Sequence, residues 1–233
     1  MCSATTTSAT IVYPDSDGMP MADNTKQFRE IMTIQGNLDG LFRERSDVFV
    51  AGDLLWYPVE GRPDIRRPPD AMVVFGRPKG DRGSYRQWVE AGIAPQVVFE
   101  VLSPGNSLSE MAAKLEFYDI YGVEEYYLYD PDNDDLSGWQ RIDDRLKVIA
   151  DLDGWTSLRL GIRFAHEPDR IRMYLPDGRP FLSFVELQRK MEAEQQRAEQ
   201  ERQRAELQYQ RAERLAARLR ELGLDPDAPE DSR

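Results

Sequence analysis

The feature that most constrains this chain is a carboxylate in the middle of an apolar run. Residues 95–114 read PQVVFEVLSPGNSLSEMAAK, and Glu100 is flanked by Val, Phe and Leu side chains on both sides. Such a run predicts a strand that is buried on both faces. A lone buried carboxylate is costly unless it is paired with a cation or binds a metal. The fold must therefore bring a partner to Glu100.

A well-marked helix follows this strand. Ser107 and Glu110 have the spacing of a capping box, in which side chains satisfy the free N–H groups at the helix start, and Gly122 ends the helix. Its apolar stripe consists of Leu108, Met111, Leu115 and Tyr118. The segment is predicted to form a strand at 96–102, a helix at 108–121 and a strand at 125–130.

The remaining elements are weaker signals. Asn24 is expected to cap a helix through TKQFREIMTIQGNLDGLF, where apolar residues recur at helical spacing. Further runs typical of strands are DVFVAG, LLWYPV, AMVVFG, LKVIADL, RIRMYL and PFLSF. The DG pairs in LDGW and LPDG are hairpin signals, and FAHEPD, which holds His166, is predicted as a loop without a catalytic role. The pattern indicates a mixed α/β (α+β) fold with a strand-rich second half.

The two ends of the chain differ from its middle. Residues 1–25 are small, polar and turn-rich, so we expect a flexible arm. From 186 to 222 there is no Gly or Pro and QRAE recurs every seven residues, which predicts a long charged helix. Its heptad pattern favours a coiled coil that forms a homodimer, although a solitary helix with i, i+4 ion pairs fits as well. Residues 223–233 are expected to be disordered.

Composition excludes several classes of protein. The 233 residues carry a formal charge of −12, which argues against coating nucleic acid by bulk electrostatics but leaves room for a local basic groove. Cys2 is the only cysteine, so no disulfide framework or cysteine zinc site exists. No apolar run approaches the roughly 18 residues of a membrane span, and no signal-peptide pattern is visible. We expect a soluble cytoplasmic protein without a membrane partner.

Two acids and a lysine are the candidate chemical groups. Asp70 immediately precedes the strand AMVVF, Glu100 lies inside the next long strand, and Lys114 lies on the capped helix. If they converge, a divalent cation would relieve the repulsion between the carboxylates, and oxygen ligands suit Mg²⁺ or Mn²⁺. The structural alternatives are a turn residue, an ion-paired glutamate and a solvated surface lysine.

A basic segment lies between the two acids. Residues 66–88 hold six basic against two acidic side chains. A basic loop beside a carboxylate site would suit a nucleic-acid phosphate backbone. The residues expected to contact that backbone are Arg77, Lys79, Arg82 and Arg86. A solubilising loop with internal ion pairs explains the same residues equally well.

The order of these motifs resembles a known family. It comprises a Pro-Asp before a strand, a Glu in VVFEVLSP, a Lys on the following helix and then YGVEEYYLYDP. The arrangement over residues 26–185 is similar to the Uma family of putative restriction endonucleases, within the PD-(D/E)xK nuclease superfamily. The resemblance implies a restriction-endonuclease-like core, with a central mixed sheet flanked by helices. It also implies a Mg²⁺-dependent or Mn²⁺-dependent DNA endonuclease.

The resemblance assigns roles position by position. Asp70 and Glu100 correspond to the two acids of the motif and would hold the metal. The motif lysine would fall at Leu102, and Lys114 on the next helix takes its place. Tyr118 either lines the site or is a core aromatic, and Asp53 is a candidate outer acidic neighbour. The displaced lysine leaves open an inactive nuclease-like fold that serves as a binding or assembly module through its C-terminal helix.

Overall fold

The structure is a computed structural model that describes residues 11–168 and 170–223. It divides into two compact units with their boundary between Ser183 and Phe184. The helices of the described residues are α1 (Thr25–Leu41), α2 (Leu108–Ile120) and α3 (Phe184–Glu221). The strands are β1 (Val48–Ala51), β2 (Trp56–Tyr57), β3 (Ala71–Phe75), β4 (Tyr85–Arg86), β5 (Val97–Val101), β6 (Glu125–Asp130), β7 (Asp135–Ile142), β8 (Arg145–Val148), β9 (Arg163–Glu167) and β10 (Arg170–Tyr174).

A mixed sheet forms the centre of the first unit. Among the described strands its order is β1-β3-β5-β6-β7-β8. β5 and β6 are parallel, and the other neighbours in this sheet are antiparallel. The parallel pair is connected through α2, as parallel neighbours require a crossover. β9 and β10 form an antiparallel pair, and β2 and β4 form a short parallel pair.

The two faces of the sheet bury different sets of side chains. On one face α1 contributes Ile31, Ile34 and Leu38 to a core that also includes alternate residues of β3 and β5. On the other face Phe117 and Tyr118 of α2 join a second core. This core also contains Met72, Val98, Tyr126 and Trp56. Every residue of β5 is buried, as the sequence predicts.

Both ends of α2 are fixed by side chains. The Ser107 hydroxyl accepts a hydrogen bond from the Glu110 N–H at 3.2 Å at the start of the helix. At its end, Gly122 has a φ of 92°, which suits glycine. Arg141 from β7 donates to the carbonyls of Asp119 at 2.6 Å and Val123 at 2.8 Å. A cation at these free carbonyls also interacts favourably with the helix dipole.

Most of the predicted elements are confirmed. Asn24 caps α1 by accepting hydrogen bonds from two backbone N–H groups, and the predicted strand–helix–strand segment corresponds to β5, α2 and β6. The loop predicted for FAHEPD is wrong, because Arg163–Glu167 forms β9. The strand predicted for PFLSF is also wrong, since an isolated bridge between Tyr174 and Pro180 is all that pairs there among the described residues. Leu108 is 92% exposed and contributes nothing to the apolar face of α2.

The described part of the N-terminal arm packs against the first unit. Residues 11–24 contain no helix or strand. The Tyr13 ring lies 5.3 Å from the Tyr57 ring and 5.0 Å from the Trp88 ring, and the Pro14 carbonyl accepts a hydrogen bond from the Tyr57 hydroxyl. The first ten residues of the predicted arm, including Cys2, lie outside the described residues. The predicted disordered tail lies outside them beyond Gly223.

The second unit contains the long helix that the sequence predicts. α3 has 38 residues, so it is about 57 Å long. None of its side chains is buried, and pairs such as Arg202 with Glu199 lie along its surface. The coiled coil and the homodimer stay predictions. No described helix combines the length and the apolar character needed to cross a membrane.

Candidate metal and active site

Asp70 and Glu100 meet across two neighbouring strands. In the antiparallel register of β3 and β5, Ala71 pairs with Phe99, so one step further places Asp70 opposite Glu100. Residues directly opposite each other on one face have Cβ atoms about 5 Å apart. Asp70 is 8% exposed and Glu100 is 1% exposed. The fold thus brings two carboxyl groups together where little water screens them.

Glu100 receives a hydrogen bond on each carboxylate oxygen. The Lys114 Nζ atom donates to Oε2 at 2.8 Å, and the Tyr118 hydroxyl donates to Oε1. Lys114 and Tyr118 are one turn apart on the same face of α2. The cation that the sequence requires for Glu100 is therefore Lys114. The Tyr118 ring is buried in the second core and its hydroxyl contacts Glu100, while its role in a functional site stays a prediction.

Asp70 has no ion-pair partner of its own among the described residues. Its Oδ2 atom accepts a hydrogen bond from the Val101 N–H at 2.7 Å. Burial and the negative charge of Glu100 raise the pKa of Asp70 to about 8, although the Val101 N–H and the Lys114 charge oppose the rise. At neutral pH, in the absence of another cation, Asp70 therefore holds a proton.

Lys114 keeps its positive charge in this site. Burial acts to lower its pKa, but the charge and the hydrogen bond of Glu100 outweigh burial, so the pKa of Lys114 is raised. The ammonium group has three N–H donors, and Glu100 takes one of them. Donors therefore remain for a water or a phosphoryl oxygen.

A tyrosine that the sequence did not single out also faces the carboxyl pair. The Tyr126 hydroxyl is buried and has no hydrogen-bond partner among the described residues. Burial, followed by the charges of Glu100 and Asp70, raises the pKa of Tyr126. The signal was present in the strand alternation, because Tyr126 pairs with Val98 in the parallel register and so shares the face of Glu100. An unpaired buried hydroxyl here suits a ligand or water beside the acids.

Asp53 lies within electrostatic range of the same groups. It has a left-handed backbone, with a φ of 48°, and its N–H donates to the Pro69 carbonyl at 3.0 Å. Burial raises the pKa of Asp53, and the charges of Asp17 and Glu100 add to that rise. Asp53 is thus a neighbour of the pair, as expected of an outer acid, while its role stays a prediction.

The residues present fit a hard divalent cation. Within the described residues no cluster of three or more His, Cys, Asp or Glu side chains forms a metal site. Mg²⁺ nevertheless needs only one or two protein carboxylates, because waters and substrate phosphates fill its other positions. Asp70 and Glu100 supply two oxygen ligands whose mutual repulsion a cation would relieve, and the unpaired Tyr126 hydroxyl can donate to a water beside them.

The predicted backbone-contacting residues are mostly engaged in ion pairs. Glu90 binds Arg77 at 2.8 Å and Arg82 at 2.7 Å, and Lys79 lies 3.2 Å from Asp39. The Arg82 guanidinium also lies 3.9 Å from the centre of the Phe49 ring. Arg86 is exposed. The pairing agrees with the solubilising-loop alternative for three of the four residues, and their contact with DNA stays a prediction.

Comparisons with known proteins give the family. No curated protein matches the chain. A crystal structure of a putative nuclease of the DUF820 family from Anabaena variabilis is 14% identical in sequence and covers 58% of this chain and 73% of its own, with a TM-score of 0.43. The family model Uma2, described as a putative restriction endonuclease, matches residues 18–164. Because this match spans more than half of the chain, the protein belongs to the Uma2 family of putative restriction endonucleases.

Proposed function

We propose that this protein is a divalent-metal-dependent DNA endonuclease that hydrolyses phosphodiester bonds. Asp70 and Glu100 would hold Mg²⁺ or Mn²⁺. The observation that carries the proposal is the buried pair of opposed carboxyl groups, one of which, Glu100, is hydrogen-bonded to Lys114. Burial and the charge of Glu100 raise the pKa of Asp70 to about 8, so Asp70 holds a proton at neutral pH. Such a pair is poised to exchange that proton for a metal ion. Family membership supports a nuclease-like function.

Lys114 would act on the attacking water and the phosphate. When bound, the cation supplies charge neutralisation for the phosphoryl oxygens and lowers the pKa of a coordinated water. Lys114 keeps one N–H on Glu100 and uses the others to orient a water or to stabilise charge that develops on the phosphoryl oxygens. Its position on α2 instead of at Leu102 is chemically acceptable, because the reaction needs a cation near the water and not a sequence spacing.

Tyr118 would be a positioning residue. Its hydroxyl holds Oε1 of Glu100 while Lys114 holds Oε2, so the carboxylate plane is fixed relative to α2. Preorganised ligands reduce the reorganisation that metal and substrate binding require. Tyr118 touches neither metal nor substrate in this proposal.

A second function is supported by the same two hydrogen bonds. Since Lys114 and Tyr118 already occupy both oxygens of Glu100, the carboxylate is satisfied without a metal. A protein with this site could bind DNA or serve as an assembly module through α3 without cutting.

The deciding experiment combines metal binding with cleavage. Calorimetric titration with Mn²⁺ would be followed by incubation with plasmid and single-stranded DNA in Mg²⁺ or Mn²⁺, for wild type and Glu100→Ala. Glu124→Ala is the matched control, because it removes an acid that pairs at the surface with Arg159. Metal-dependent cutting that Glu100→Ala abolishes and Glu124→Ala retains is the expected result. A folded wild type that binds no metal and cuts neither substrate would reject the nuclease and favour the second function.

A further inference from the structure

A cleft of about 700 Å³ lies at the segment that leads into β3. Its lining includes Arg66, Arg67 and Pro68, and Pro68 precedes Asp70 by two residues. Asp17 also lines the cleft, and its charge contributes with that of Glu100 to the raised pKa of Asp53. The cleft therefore lies within electrostatic range of Asp53, the acidic neighbour of the carboxyl pair, and is continuous in sequence with Asp70.

The two arginines of this cleft differ from the other basic residues of the segment. Neither Arg66 nor Arg67 forms an ion pair within the described part of the chain. Arg66 donates to the Pro63 carbonyl at 3.0 Å, and Arg67 donates to the Arg66 carbonyl at 3.1 Å. Their guanidinium groups are thus held by neutral partners and have N–H donors to spare.

Arg67 is held close to α2, the helix that carries Lys114. Its backbone exchanges two hydrogen bonds with Trp56, at 2.9 and 3.2 Å. Its guanidinium lies 5.7 Å from the centre of the Phe117 ring, and Phe117 is three residues after Lys114 on α2. A phosphate bound to Arg67 would therefore lie over the same helix that carries Lys114 and Tyr118.

The acids in the cleft do not cancel this charge. Asp64 is paired with Arg62 at 2.7 Å. Asp17 accepts a hydrogen bond from the Met19 N–H at 2.9 Å and remains as the one uncompensated acid among the described residues that line the cleft. Two guanidinium groups against one carboxylate, none of them in an ion pair among the described residues, give the lining a positive excess, while Asp15, which acts on Tyr57 together with Asp17 and Arg66, lies outside the lining.

We propose that this cleft binds the phosphodiester backbone of a DNA strand beside the bond to be cut, with Arg66 and Arg67 each contacting a phosphate. The inference rests on the proposed function, since it assigns the substrate strand to a surface next to the same site. It moves the main backbone contact from the Arg77–Arg86 loop, where Glu90 and Asp39 form ion pairs with three of the four cations, to the two arginines that have no such partner among the described residues.

The test measures binding without cutting. Fluorescence anisotropy of a labelled oligonucleotide of roughly 16 nucleotides, as a single strand and as a duplex, would be recorded in EDTA for wild type, Arg66→Gln, Arg67→Gln and the double variant. Arg159→Gln is the matched control, because it removes a cation that pairs with Glu124 at the surface. Thermal unfolding of each variant would check the fold. Arg67→Lys keeps the positive charge but removes the planar guanidinium, so it would show whether binding depends on the guanidinium geometry or on the charge alone.

We expect each glutamine substitution to weaken binding about tenfold and the control to change it less than about twofold. For the single strand, the plot of the logarithm of the association constant against the logarithm of the salt concentration should become less steep, by about 0.7 for each phosphate that a variant no longer neutralises. Comparing the two probes shows whether the strand is bound alone or within a duplex. Unchanged binding by the double variant, an equal loss in Arg159→Gln, or no binding of either probe by wild type would overturn the proposal.

The outcome is separable from that of the proposed function. Arginine-dependent binding by a wild type that never cuts would support DNA binding in the cleft and reject the nuclease activity. Metal-dependent cutting that the double variant leaves unchanged would support the nuclease activity and reject DNA binding in the cleft.

Discussion

Two buried glutamates on neighbouring strands, Glu100 on β5 and Glu125 on β6, are each 1% exposed but have opposite surroundings. The Oε1 atom of Glu125 accepts from the N–H groups of Leu158 at 2.9 Å and Arg159 at 3.1 Å. Its Oε2 atom accepts from two hydroxyls, those of Ser157 and Tyr127. Glu100 instead has a lysine, a tyrosine and a second acid opposite it.

The difference shows that burial alone does not identify a functional carboxylate. Fixed neutral donors satisfy the Glu125 carboxyl group and attach residues 157–159 to the sheet, so Glu125 has a structural role. Beside Glu100 lies a second acid, Asp70, whose pKa burial and the charge of Glu100 raise to about 8, so this acid holds a proton at neutral pH. That proton, and not a fixed donor set, is what distinguishes the surroundings of Glu100 from those of Glu125.

The largest effect on stability should come from Glu125→Ala. This change leaves two backbone N–H groups and two hydroxyls unpaired in a buried place, so we expect a loss of about 3–5 kcal/mol in the free energy of unfolding. Urea denaturation would measure it. Glu100→Gln should cost less, because without the charge of Glu100 the pKa of Asp70 falls and its carboxylate can compensate Lys114, but the variant should lose metal binding. Equal losses in the two variants would break the distinction between the two glutamates.

The second effect is a pH dependence that belongs to Asp70. Its pKa is about 8 in the folded chain against an ordinary value of 3.8, so between these values the folded protein holds a proton that the unfolded chain has lost. Without metal, stability should therefore fall by roughly 3 kcal/mol from about pH 5 to about pH 8 and level off above. Asp70→Asn, whose amide oxygen can still accept from Val101, should flatten this profile and be the more stable protein near pH 8. Parallel profiles for the two proteins would contradict the assignment.

Mg²⁺ should stabilise the protein more at high pH than at low pH. The ion requires Asp70 without its proton, so its affinity should fall about tenfold for each pH unit below about 8. At a concentration near 100 times the dissociation constant, Mg²⁺ adds about 2.7 kcal/mol. Thermal unfolding at about pH 9 and about pH 6, with and without Mg²⁺, would measure the difference. A melting temperature that responds to Mg²⁺ equally at both values, or in Asp70→Asn, would place the ion elsewhere.

The smallest effects concern the two tyrosines beside the acids. Tyr118→Phe removes a donor to Glu100 and should cost about 1–2 kcal/mol. Tyr126→Phe removes a hydroxyl that has no partner in the described residues, so its stability should change by less than about 0.5 kcal/mol or increase. Chemical denaturation of both metal-free variants is the measurement. A large loss in Tyr126→Phe would mean that its hydroxyl is bonded in solution.

The local signals in the sequence predicted the framework of the site. The Asn24 and Ser107 caps, the buried strand around Glu100 and the helix that carries Lys114 are all determined by neighbours within a few residues. The need to neutralise a buried charge predicted a partner for Glu100, and Lys114 was expected to share that charge with Asp70 and a metal ion.

The long-range contacts could not be predicted in this way. The donors to Glu125 from residues 157–159 lie more than 30 residues further along the chain, so its burial left no local signal in VEEYYLYD. FAHEPD reads as a loop by itself and becomes β9 because β10 pairs with it. Glu90 pairs with Arg77 and Arg82, which lie 13 and 8 residues before it, so the sequence did not show which basic residues of the loop are ion-paired.

The fixed ends of α2 have a consequence for how the site can change. Ser107 holds the start of the helix and Arg141 holds its end, so Lys114 and Tyr118 are presented to Glu100 by one rigid element. Their contributions are therefore epistatic. Once one hydrogen bond to Glu100 is removed, the carboxylate can turn away from the other, so the second substitution costs less than it does alone. Substitutions in this site should be tolerated best when Lys114 and Tyr118 are replaced together. A change at Arg141 should affect both residues, although Arg141 touches neither side chain.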